Sequence, residues 1–137
     1  MNTQMMEMMS MTMPAADMAM MQECIESCAA AEQVCTMCAD SASGAEAMAM
    51  GSGKMMAMCL NVADMASTMM RMLMRPMGHD MATTMKMLEA TMLACRACAM
   101  PAKQASEMSE SAKMCAQVCM NCADACEALM HSMAMAH

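Results

Sequence analysis

Residues 115–130 read CAQVCMNCADACEALM. Cys115, Cys119, Cys122 and Cys126 follow one another at intervals of four, three and four, and Leu129 and Met133 continue the run. Upstream, Ala105, Met108 and Ala112 fall in the same phase. These are the intervals of one helix face, where neighbouring Cβ atoms stand about 5–6 Å apart. Lys103, Glu107, Glu110, Lys113, Asp124 and Glu127 occupy the complementary positions. The segment reads as an amphipathic helix with thiols along its apolar seam.

Working outward, three more segments repeat the pattern. The first carries Met21, Cys24, Cys28, Ala31, Cys35, Cys38 and Ala42 in phase, with Glu23, Glu26 and Glu32 opposite. The second carries Met55, Cys59, Val62, Ala66, Met69 and Leu73. The third carries Met81, Met85, Leu88, Met92, Cys95 and Ala99, with Cys98 bordering the seam. Pro14 opens the first segment; Gly44, Gly51 and Gly53 mark one break, Pro76 with Gly78 a second, and Pro101 a third. No run of β-branched residues suggests a strand. The expectation is an all-α fold: an antiparallel up-down-up-down four-helix bundle over residues 14–137. Residues 1–13, with Met at 1, 5, 6, 8, 9, 11 and 13, read as a Met-rich tail or a short extra N-terminal helix.

The composition asks for a reason beyond stability. With 33 Met and 11 Cys among 137 residues, about a third of the chain bears sulfur, and Phe, Trp and Tyr are absent. Methionine fills space but specifies packing poorly. A net charge of −7 with only seven basic residues argues against nucleic acid, which needs a basic stripe. The most apolar stretch, residues 55–74, contains Asp64 and Arg71, so no membrane span is expected. The N-terminus MNTQ lacks the pattern of a signal peptide. The cysteine number is odd, and helix-face spacing suits disulfides poorly, so the thiols read as reduced or metal-bound.

A free cysteine is a small hydrophobe, and one or two in a core need no explanation. A repeated seam of pairs does: Cys24/Cys28, Cys35/Cys38, Cys95/Cys98, Cys115/Cys119, Cys119/Cys122 and Cys122/Cys126 each place two sulfurs within reach of one ion. Thiolate and thioether together select Cu(I), whereas thioether is a poor zinc ligand and hard ions want oxygen. The cargo expected is therefore multiple Cu(I) ions.

The segments CAQVCMNCADACEALMH, CIESCAAAEQVCTMCADSA and CRAC resemble the core helices of the bacterial copper storage proteins, over about residues 15–131. Members of that family hold many Cu(I) ions inside a four-helix bundle, mostly between pairs of cysteine thiolates, and often form homo-oligomers. The resemblance implies that role for Cys24, Cys28, Cys35, Cys38, Cys59, Cys95, Cys98, Cys115, Cys119, Cys122 and Cys126. The departure is methionine. The second helix offers only Cys59 among Met55, Met58, Met65, Met69 and Met72, and the third has Met81, Met85, Met87 and Met92 before its Cys pair. A thiolate-rich zone and a thioether-rich zone are expected, with Met55, Met58, Met65, Met69, Met81, Met85, Met92 and Met108 as supplementary ligands and packing as their alternative role. His79 and His131, with Met77, Met81 and Met133, mark one candidate mouth; Met48, Met50 and Met100 mark the other.

The expected function is storage of Cu(I). The alternatives are a chaperone or buffer that delivers exchangeable Cu(I), a methionine-based oxidant sink, and a partner-binding bundle. No catalytic constellation is recognisable, so no enzyme is expected. Thioethers resist the oxidation that disables thiols, which tilts the location toward an exported or periplasmic mature form, with a cytoplasmic start as the alternative.

Overall fold

The structure, a computed structural model, describes residues 15–41, 52–76, 78–107 and 109–136. They form helices α1 (Ala15–Ser41), α2 (Ser52–Leu73), α3 (Met81–Gln104) and α4 (Glu110–Ala136). At 1.5 Å per residue the longest, of 27 residues, spans about 40 Å. Each helix packs against its sequence neighbour, and α4 packs back on α1. The all-α up-down-up-down bundle is thus present. Its upper pole gathers the starts of α1 and α3 and the ends of α2 and α4; its lower pole gathers the opposite ends. The Met-rich residues 1–13, together with Met48, Met50, Met77, Met108 and His137, lie outside the described residues.

Local chemistry sets the helix starts. Asp80 caps α3: its Oδ2 accepts from the Thr83 N–H at 3.1 Å, and the Thr83 hydroxyl donates to the same oxygen. Gly78 precedes it with φ of 79°, a left-handed conformation in which a side chain would be strained. Ser109 caps α4, its Oγ accepting from the Ala112 N–H at 3.1 Å.

Two boundaries differ from the sequence reading. Pro101 does not break the chain: α3 continues through it to Gln104. Proline removes one N–H, yet the Pro101 carbonyl still accepts from Ala105 N–H at 3.1 Å, so the last turn closes. Ala105 therefore belongs to the turn, and α4 starts at Glu110, where Ser109 supplies the cap.

The phase of α3 differs as well. Its buried face is Thr84, Leu88, Thr91, Cys95, Cys98, Ala99 and Ala102. Met81, Met85 and Met92 instead lie half-buried along the edges of the core. Both runs step by three and four and share Leu88, Cys95 and Ala99, so periodicity alone does not separate them. Turning Cys98 inward selects the run with the threonines. Thr91 accepts full burial because its hydroxyl donates to the Met87 carbonyl at 2.8 Å.

The core has two zones along the axis. At the upper pole Met21, Met69, Leu73, Leu88, Leu129 and Met133 are at most 1 % exposed. Each contributes about 1.5–3 kcal/mol of burial. Below them cysteine and alanine dominate the lining, joined by Val62 and Met55 of α2.

Candidate metal centre

All eleven cysteines are free and buried, Cys98 included. The antiparallel packing of α1 and α4 sets their thiols level with one another. Cys24 Sγ lies 3.7 Å from Cys126, and Cys28 lies 3.7 Å from Cys122. Lower down, Cys35 lies 3.7 Å from Cys115 and 3.6 Å from Cys119. From the other side, Cys59 of α2 reaches Cys98 at 3.7 Å and Cys115 at 3.5 Å, and Cys98 lies 3.7 Å from Cys115. Cys95 lies against Cys119 and Cys122. Cys38, nearest the lower pole, donates to the Ser111 carbonyl at 3.0 Å and lies against Cys115. The thiols form one continuous column down the bundle axis.

Three groups are tight enough to enclose an ion: Cys24, Cys28 and Cys126; Cys35, Cys115 and Cys119; Cys59, Cys98 and Cys115. Within each, the sulfurs lie within 4.8 Å of one another. Thiolate bonds to first-row metals are about 2.3 Å, so a linear pair of sulfurs would stand roughly 4.6 Å apart. The apo spacing therefore accepts an ion with sub-ångström adjustments. Cys115 belongs to two of the groups.

The thiols also polarise one another. Hydrogen bonds from Cys126 and Cys28 pull Cys24 down from 9.0 to about 5 against the cost of burial. Bonds with Cys115 and Cys119 pull Cys98 down to about 5. Cys28 is pushed the other way by Cys122, Cys126 and Cys24, and Cys35 by its bond with Cys115. A thiolate in each cluster is thus held by S–H donors, and those donors keep their protons until a cation replaces them.

The methionines divide by place. Met55 and Met69 are buried on the α2 seam. Met58, Met81, Met85 and Met92 are half-buried against the core, and Met65 is half-buried but off that seam. Met108 lies outside the described residues. At the upper pole His79 is half-buried and His131 exposed. There Asp17 Oδ1 accepts from the Ser132 hydroxyl, tying the start of α1 to the end of α4. Sequence reading missed Asp17, Thr84 and Thr91 because buried polar residues carry no apolar period.

An apolar tube lined by converging free thiols defines a class: a multi-site container for a soft, thiophilic cation. The family profile described as copper storage protein matches residues 17–131, and the chain belongs to that family. A cytosolic copper storage protein from Streptomyces lividans carrying five coppers is 29 % identical, with a TM-score of 0.80, covering 86 % of this chain and 98 % of that one. The same protein loaded with 10 copper equivalents also scores 0.80 at 29 % identity, covering 90 % of this chain and 96 % of that one. A double histidine-to-alanine variant of it is 31 % identical, with a TM-score of 0.77, covering 82 % and 94 %. A comparison with curated protein sequences returns no match.

The function is storage of multiple copper ions within the bundle, and the family is one of storage rather than catalysis. The expectation of an exported form is overturned, because the Streptomyces lividans protein is described as cytosolic. Methionine excess was a weak guide: thioethers serve soft-metal binding in either compartment, whereas a column of free thiols suits a reducing one. Among the described residues, no helix is long and apolar enough to cross a membrane.

Proposed function

We propose that the eleven cysteine thiols are the Cu(I) ligands, and that each ion enters by displacing thiol protons from the central column. The observation that carries this reading is the set of three sulfur triads, two of them sharing Cys115. Charge sets the loading. Buried unpaired charges cost several kcal/mol each. Eleven thiolates are neutralised as Cu(I) approaches one ion per sulfur, so filling continues to on the order of ten ions.

Methionine supplements this column unevenly. Met55 and Met58, near Cys59 in sequence and on α2, stand at the lower end as transient soft contacts for a passing ion rather than as resident ligands. Met69, Met81, Met85 and Met92 keep the upper core closed, which supports packing as their role. The chain works in a reducing cytosol, by likeness with the Streptomyces lividans protein. Homo-oligomerisation belongs to the same reading, supported by exposed Leu60 and Leu93 on the adjacent helices α2 and α3; sedimentation tests it.

The test of storage is an anaerobic Cu(I) titration against a chromogenic chelator, beside a variant with every cysteine changed to serine. Tight uptake of many ions, lost in the variant, is expected. Uptake of one ion or none by the wild type overturns the reading.

A further inference from the structure

The thiol column is sealed at its upper pole by six large apolar side chains. At the lower end, a groove of about 390 Å³ runs between α2 and α3. Met55, Met58 and Met100 line it, with Ala97, Pro101 and Lys54. Their exposure is graded: Met100 is 66 % exposed at the lip, Met58 is half-buried, and Met55 is 2 % exposed at the floor. Met55 and Met58 are one turn apart on α2, and three rotatable bonds let thioether sulfurs converge.

The floor leads to the column. Cys59 follows Met55 by one turn on the buried face of α2. Helical side chains lean toward the N-terminus, so Cys59 leans toward Met55. Beyond it, Cys98 and Cys115 lie 3.7 and 3.5 Å from the Cys59 sulfur.

Resting on the storage reading, we propose that Met55, Met58 and Met100 form a thioether site that takes Cu(I) from outside and passes it to Cys59. Thioethers are neutral and carry no proton, so they take the ion from a small thiolate complex without acid–base chemistry. The Lys54 ammonium at the rim favours an anionic complex over a bare cation. As the ion docks, a copper–thiolate bond of the incoming complex breaks while a copper–thioether bond forms, and the carrier thiolate is released. On transfer the copper–thioether bonds break, a bond to Cys59 Sγ forms, and the Cys59 proton passes through solvent to the freed thiolate. Copper stays Cu(I) throughout. The gradient of affinity from neutral thioether to thiolate drives the ion inward.

The experiment follows thiolate-to-copper absorption by stopped flow after mixing the reduced protein with Cu(I) held by excess glutathione. Met55→Leu/Met58→Leu/Met100→Leu keeps volume and removes sulfur. The initial rate is expected to fall about tenfold, with final capacity and helical circular dichroism unchanged. Met20→Leu/Met135→Leu, exposed residues away from the groove, should leave the rate unaltered. The single change Met100→Leu, at an exposed position, should slow uptake while sparing the fold. Unchanged rates in both groove variants overturn the relay, as does an equal loss in the control. Reduced final capacity also overturns it, making these methionines resident ligands. A wild type that takes up one ion or none overturns storage itself, a result distinct from full capacity at unchanged rate.

Discussion

Cys59 of α2 and Cys115 of α4 bring their sulfurs to 3.5 Å although their helices are not neighbours around the ring of packed pairs. The contact therefore crosses the bundle axis. Cysteine is short enough to leave room for a partner from the far side, where two Leu or Met side chains would push the helices apart. The axis is where an ion meets ligands from several helices at once. Cys115 also completes the triad with Cys35 and Cys119.

Cys115→Ser should for that reason cost more copper than any peripheral change. The expected loss is about two ions, one per triad it joins, against about one for Cys38→Ser, at the column's end. Metal analysis after anaerobic loading and desalting measures both. Equal losses would remove Cys115 from its shared position.

Proton release should be uneven during filling. Cys24 and Cys98, held near 5, are already thiolates at pH 7, so ions binding there displace few protons. Cys28 and Cys35, pushed above 9.0, surrender theirs only to metal. At pH 7 the total released should thus fall short of one proton per cysteine. As pH drops through 5, Cys24 and Cys98 become protonated, protons compete everywhere, and affinity falls. Titration in weak buffer at pH 7 and pH 4.5 reads the difference. A release that does not grow on acidification would contradict the assigned directions.

The metal-free chain should remain helical. Its core holds Met, Leu, Val and Ala beside the thiols, and all of these bury apolar surface without copper. Circular dichroism before and after chelation should coincide. Loading should still raise the melting temperature, because linkage adds about 4 kcal/mol of stability at a thousandfold excess over Kd. A random coil on chelation would instead make copper a folding requirement.

Met69 separates packing from ligation. It is fully buried near the upper pole. Met69→Leu should cost less than about 1.5 kcal/mol and leave capacity intact, while Met69→Ala should cost about 2–5 kcal/mol through the cavity it leaves. Urea unfolding with a parallel copper titration distinguishes the two. Lost capacity in the leucine variant would mark Met69 as a ligand.

Ser109 anchors the helix that carries four of the thiols. Ser109→Ala removes the acceptor for the Ala112 N–H and should cost about 1 kcal/mol. A melting temperature lowered by about 3–5 °C is the expected reading. No change would mean that another group caps α4.

The amino-acid sequence by itself determined the helices and most of the seam. Steps of three and four placed Cys24, Cys28, Cys35, Cys38, Cys59, Cys95, Cys115, Cys119, Cys122 and Cys126 on inward faces, because helical geometry fixes which residues share a side. It also determined the chemistry, since clustered soft sulfur selects a soft cation. Tertiary structure alone decided the rest. On α3 two overlapping runs were equally periodic, and only packing against α2 and α4 turned Cys98, Thr84 and Thr91 inward and left Met81, Met85 and Met92 at the edges. Pro101 could extend α3 because the chain's turn was set by Ser109 rather than by the proline. The triads themselves join residues up to 102 positions apart. Spacing along one helix says nothing about which level of another helix it meets; that level is fixed when antiparallel faces interdigitate and exclude water from between them.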